Sequence, residues 1–299
     1  MRVARLGLAA LAATVLLAAP AAADVFHFST GTVLNDIGVA TRPGVPGKFE
    51  IEAGDDFIAT SPLAVTHATF TGLLTGTTPT VNSVTVEIYR VFPALSDVGR
   101  TSGPPTFSTP LVPTRVNSPS DVELDGRTST DGGLTFSVIS KGPGSAANSI
   151  QPGGIKSLLE GGPRTGGDGP ISGTLVTFDV SFTSPFVLAP DHFFFVPQVD
   201  VSGGEFFWLN ASRPIDATGT PFAPDLQSWT RDAHLDPDWL RVGTDIIGGS
   251  PAPTFNQAFT LDATIIPEPS MLALGGVGLA GLAAARRLRR RKEVGRHVR

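Results

Sequence analysis

The stretch "GTLVTFDVSF", Gly173 to Phe182, decides the fold class. Val176, Phe178, Val180 and Phe182 fall on one side of an extended chain, and Leu175, Thr177, Asp179 and Ser181 on the other. Strand side chains alternate between two faces, so this period of two predicts a strand with one buried face. Similar segments recur at "VTHATFTGLL" (Val65 to Leu74), "VTVEIYRVF" (Val84 to Phe92) and "LTFSVIS" (Leu134 to Ser140). Three more are "HFFFVPQVDV" (His192 to Val201), "EFFWLN" (Glu205 to Asn210) and "FTLDATII" (Phe259 to Ile266). Helical periodicity is nearly absent; Ile155 to Glu160 has room for a turn or two. Strands separated by clusters of turn residues predict an all-β domain, a β-sandwich. Proline-rich Pro93 to Arg127 and glycine-rich Gly142 to Gly173 interrupt the pattern and read as long surface loops. The second has no phosphate-loop pattern.

The two ends have another character. Arg2 and Arg5 precede an apolar run from Leu6 to Ala19, and Ala21-Ala22-Ala23 supplies small residues for a cleavage site. This order predicts a secretory signal peptide over residues 1–23, leaving Asp24 as the mature N-terminus. Near the other end, Met271 to Ala285 carries no charge. As a helix it is about 22 Å long against a hydrocarbon core of ~30 Å. Ser270 and the aliphatic stem of Arg286 extend it to a predicted transmembrane helix over about residues 270–286. Gly275, Gly276, Gly278 and Gly281 weaken that helix. Arg286, Arg287, Arg289, Arg290, Arg291 and Lys292 follow it, and such a cluster stays on the cytoplasmic side. The bulk of the chain is therefore expected outside, and the tail inside.

Charge and cysteine content narrow the function. Between Asp24 and Pro269 lie 26 of the 27 acidic residues but only 12 of the 22 basic ones, a net charge near −14. A domain so acidic is a poor binder of nucleic acid or anionic lipid by charge. The chain has no cysteine, which excludes disulfides, thiol catalysis and cysteine-type zinc sites. The roughly 240 residues between the ends suffice for a large core without covalent help.

Pro267, Glu268 and Pro269 stand just ahead of the apolar run. The prolines favour an extended backbone there, and Glu268 is the one charge for an enzyme to read. "PEPSMLALGGVGLAGLAAARRLRRR" resembles the PEP-CTERM sorting signal of Gram-negative bacteria in the order Pro-Glu-Pro, short apolar segment, arginines. The resemblance implies recognition by an exosortase in the inner membrane and cleavage near the triplet. It further implies transfer to the envelope surface or an extracellular matrix, commonly one of exopolysaccharide. The organisation expected is a signal peptide (1–23), a β ectodomain (24–264) and a sorting signal (265–299). "GDDFIATSPLAVTHATFTGLL" also resembles the opening strands of jelly-roll-like domains that precede such signals, and "PDWLRVGTDIIGG" a segment shared within that set.

Catalytic motifs are missing: there is no HExxH, GxSxG or EF-hand loop. The chain is expected to be an exosortase substrate rather than an enzyme, and a secreted hydrolase is the least favoured reading. "DLQSWTRDAHLDPDWLRVG", Asp225 to Gly243, is the most suggestive segment. Asp232, Asp236 and Asp238 could offer oxygen ligands to calcium; alternatively, Asp236 and Asp238 cap turns around Pro237. Trp229 and Trp239 flank the loop and could stack on sugar rings, or belong to the core with Trp208. The expectations are a structural or adhesive matrix protein, or a glycan-binding module using Trp229 and Trp239 with calcium assistance.

Overall fold

A computed structural model describes residues 24–100, 108–213 and 225–267. The predicted signal peptide, Glu268, Pro269, the predicted membrane helix and the basic cluster from Arg286 to Lys292 lie outside them. The chain divides into two compact units, and the β domain is the unit Val25–Thr264.

In chain order the strands are β1 (Val25–Ser29), β2 (Val33–Ala40), β3 (Ile51–Ala59), β4 (Leu63–Thr75) and β5 (Thr80–Arg90). They continue as β6 (Asp125–Thr128), β7 (Leu134–Ala146), β8 (Asn148–Ile150), β9 (Ile171–Leu188) and β10 (Asp191–Ser202). The last five are β11 (Glu205–Ala211), β12 (Trp229–Asp232), β13 (Leu240–Arg241), β14 (Asn256–Gln257) and β15 (Phe259–Ile265). All seven strands expected from alternation are present. Among the described residues no helix is long and apolar enough to cross a membrane.

The strands form two sheets, as a β-sandwich requires. The smaller has six strands in the order β13-β12-β3-β10-β5-β6. The larger has nine and follows the path β1-β15-β4-β11-β2-β8, with β9 on the other edge of β4, β7 beyond β9, and β14 on β11. Successive strands cross between sheets, as from β3 to β4, β4 to β5 and β9 to β10.

Alternation places the core between the sheets. In β9, Val176, Phe178, Val180 and Phe182 are buried while Thr177, Asp179 and Ser181 face outward. Phe178 stacks on Phe70 of β4 at 4.8 Å, and Phe195 of the smaller sheet stacks on Phe259 of the larger at 5.0 Å. Each such ring contributes about 1.5–3 kcal/mol by leaving water. Trp208 is also interior, its indole N–H donating to the Ala258 carbonyl at 2.9 Å.

Both expected loops are partly corrected. Residues 142–146 and 171–173 are not loop but the ends of β7 and β9, paired Gly144↔Gly173 and Ala146↔Ile171. Glycine is there because space is short: a Cβ on Gly144 would lie 2.7 Å from Leu73 Cδ2. The segment after β5 does not hang free. Its residues Ser108, Val112, Arg115, Ser118, Ser120 and Asp121 are buried against the outer face of the smaller sheet.

Candidate functional site

The burial of that proline-rich segment changes the reading of Asp225 to Gly243. β12 lies on β3 in the register Trp229↔Gly54 and Arg231↔Glu52, so the Trp229 and Arg231 side chains share the outer face of the smaller sheet. Trp229, Trp239, Tyr89, Phe194, Val196 and Leu226 form one buried apolar cluster on it. Trp239 donates its indole N–H to the Ser120 carbonyl at 3.1 Å, joining the cluster to the covering segment. Both Trp229 and Trp239 are 0% exposed, so the expected glycan contact through these rings is overturned. A ring must present a free face to stack on a sugar, and both rings are fully buried, with the Arg231 guanidinium 4.3 Å from the centre of Trp239 and that of Arg241 5.9 Å from the centre of Trp229.

The expected calcium loop is overturned too, because its three carboxylates diverge. Asp232 accepts the backbone N–H groups of His234 and Leu235 at 3.0 and 3.1 Å, a turn cap. Asp236 reaches Arg231 at 3.0 Å. Asp238 is fully buried and accepts the hydroxyls of Ser108 and Thr109. Among the described residues no group of three or more His, Asp or Glu side chains is arranged to hold a metal ion.

What the loop builds instead is a buried ionic network. Arg231 pairs with Glu52 of β3 and donates to Tyr89 Oη at 3.0 Å and to the Asp121 and Pro237 carbonyls at 3.0 and 3.1 Å. Its guanidinium lies 4.3 Å from the centre of the Trp239 ring. Tyr89 donates its single proton to Glu52 at 2.6 Å, and its oxygen is 3.1 Å from a carboxylate oxygen of Glu87. That last contact is satisfied when Glu87 is protonated and donates. Burial, followed by the charges of Glu52 and Glu50, pushes the Glu87 carboxyl up to about 8. Between the ordinary carboxyl range and about 8, the folded state holds a proton on Glu87 that the unfolded chain has lost. Stability therefore declines as pH rises through that window. Glu87→Gln is expected to flatten the change in urea midpoint between about pH 6 and 9 relative to the wild type. Sequence reading gave no signal for this network, since Glu52 and Arg231 stand 179 positions apart.

The second region of interest is the end of the sandwich. β15 runs antiparallel to β1 in the register Val25↔Thr264 and Ser29↔Thr260. The first and last strands of the domain thus lie side by side, and both chain ends leave from the same end of that pair. Ile265 N–H donates to the Asp24 carbonyl at 2.8 Å, and Pro267, two residues on, is exposed. Residues 266–291 match the PEP-CTERM protein-sorting motif. The chain carries a PEP-CTERM sorting motif. The motif begins at the residue after β15, so no linker separates the folded sheet from it. Of the expected sorting triplet, Pro267 stands in the described part of the PEP-CTERM region, and Glu268 and Pro269 lie outside it. No curated protein and no solved structure matches the chain.

Proposed function

We propose that this is an exported envelope protein whose sorting motif is read and cut by an exosortase. A signal peptide directs export and is removed after Ala23. The apolar segment and its arginines then hold the precursor in the inner membrane until cleavage near Pro267 to Pro269 releases the sandwich to the surface or the extracellular matrix. There it serves as a non-enzymatic structural or adhesive part of an exopolysaccharide matrix. The PEP-CTERM motif directly after the last strand is the observation that carries the reading. The acidic, cysteine-free β domain is compatible with a soluble surface module. With Trp208, Trp229 and Trp239 all interior, glycan binding would have to use polar contacts instead of Trp stacking.

The intact mass of the protein recovered from cells with and without the exosortase tests the proposal. The expected result is a chain starting at Asp24 that ends near the triplet when the exosortase is present and keeps its tail when it is absent. An uncut tail in both strains would refute it.

A further inference from the structure

β7 is the outermost strand of the larger sheet. One of its edges pairs with β9, and no strand among the described residues pairs with the other. The other strands that end a sheet are short: β1 has five residues, β6 four, β8 three and β13 two, whereas β7 has thirteen. A free edge is a row of backbone donors and acceptors ready to pair with another chain, and proteins blunt such edges with charges, prolines or bulges. β7 is blunted in its second half only. There the register shifts between Ser140 and Gly142, Gly142 has a φ of 98°, and Pro143 has no N–H to give. The first half, Leu134 to Ser140, carries neither charge nor proline, in a domain of net charge near −14.

That first half is also poorly covered. Phe136 and Val138 stand opposite Val180 and Phe178 of β9, so they face the core side of the sheet. Val180 and Phe178 are 0% exposed, yet Val138 is 39% exposed and Phe136 is half-buried. The covering layer ends over β9, where Arg127 of β6 donates to the Ser184 carbonyl at 2.8 Å and lies 4.5 Å from the centre of the Phe186 ring. The apolar strip of β7 therefore runs past the rim of the sandwich. Its two ends are charged and opposite in sign. Asp131 precedes the uncharged run and Lys141 follows it, both exposed and each five positions from Phe136.

We propose that two copies of this chain pair through the first half of β7, antiparallel and in register about Phe136. A strand can pair with its own copy about a twofold axis, and the same patch then serves both subunits. An axis at Phe136 sets Leu134 of each copy opposite Val138 of the other and brings the two Phe136 rings together on the core side, a favourable cross-strand pair. It also brings Asp131 of each copy to Lys141 of the other, so opposite charges close both ends. An axis at Ser137 or Val138 would instead set Lys141 against Gly133 or Thr135. This charge complementarity of the strand with itself selects a second copy as the occupant, and the uncharged run between lets two strongly acidic domains approach. Pairing takes Phe136 and Val138 out of water and joins the two larger sheets edge to edge. The interface is small, of the weak and concentration-dependent class. It needs neither a ligand nor the sorting motif.

The chain has no cysteine, so a single introduced thiol reports on its own surroundings. Ser137→Cys places one beside the axis, roughly 8 Å from its copy across the paired strands. Ser145→Cys places one at another exposed position of β7, several tens of Å from its copy. A short bismaleimide added to the purified full-length protein in mild detergent is expected to give a covalent dimer of Ser137→Cys, in a yield that rises with protein concentration. Ser145→Cys should give roughly a tenth of that yield or less. Lys141→Glu in the Ser137→Cys protein sets like charges against each other and is expected to cut the yield about five- to tenfold; adding Asp131→Lys reverses the pair and should restore it. All four positions are exposed, and an unchanged melting temperature separates lost pairing from lost folding. No dimer from Ser137→Cys would overturn the proposal, and so would equal yields from the two thiols. A yield indifferent to Lys141→Glu, or one that the added Asp131→Lys fails to restore, would overturn it as well.

Discussion

Arg231→Ala is expected to destabilise the domain by about 3–5 kcal/mol, because it strands Glu52 as a buried charge with its main counter-ion removed. Glu52 is 4% exposed and would keep only the Tyr89 hydroxyl among its side-chain partners in the network. The same deletion frees the Asp121 carbonyl, which ties the covering segment to the sheet, and leaves the Pro237 carbonyl with Arg115 alone at 3.3 Å. Urea unfolding followed by Trp fluorescence reads the loss, since Trp229 and Trp239 sit beside the network. Arg231→Met, which fills the volume without the fork of donors, should lose nearly as much while Glu52 remains. Arg231→Met with Glu52→Gln should recover a large part, because the uncompensated charge has gone. An Arg231→Ala protein within about 1 kcal/mol of the wild type would show that the network is solvated and energetically slight.

Trp239→Ala carries the second large effect, again about 3–5 kcal/mol, from the cavity left by a fully buried indole. The loss includes the hydrogen bond to Ser120 and the face on which Arg231 lies. The two substitutions touch one another's partners, so their costs should not add. A double-mutant cycle is expected to give a coupling of about 0.5–3 kcal/mol. This bears on any search for a sugar ligand. Binding lost on replacing Trp239 would report a damaged fold, so a search has to begin from exposed residues.

The readable parts of this chain share a physical reason. β9 announces itself because one of its faces meets the core and the other meets water, leaving a period of two in the sequence. The sorting motif is readable because its chemistry is contiguous: proline, carboxylate, apolar run and arginines need no tertiary partner to be recognised. β12 gives no such signal, and β3 is legible only through its resemblance to opening strands, on the same grounds. "IEAGDDFIA" and "WTRD" are buried on both faces, because residues 108–121 and the 237–239 turn cover what would otherwise be the outer side of their sheet. No alternation survives such covering, and acids and an arginine placed there look like loop residues. Trp229 and Trp239 were ambiguous for the same reason. Whether an aromatic ring is free depends on a segment more than a hundred positions away. The glycines of 142–146 signalled a loop because glycine usually does. Here a close approach to Leu73 requires one of them inside a strand.

The placement of β15 between β1 and β4 sets an order of events. β1 is the first strand of the domain in the chain, yet its neighbour is the last, over 200 residues later. Until then one edge of β4 lacks β15, and the amino-terminal strand waits as loose chain. Joining ends so far apart is entropically expensive and slow. The residue after β15 is the first of the sorting motif. The strand that closes the sandwich and the first residue of the sorting motif are therefore made in immediate succession.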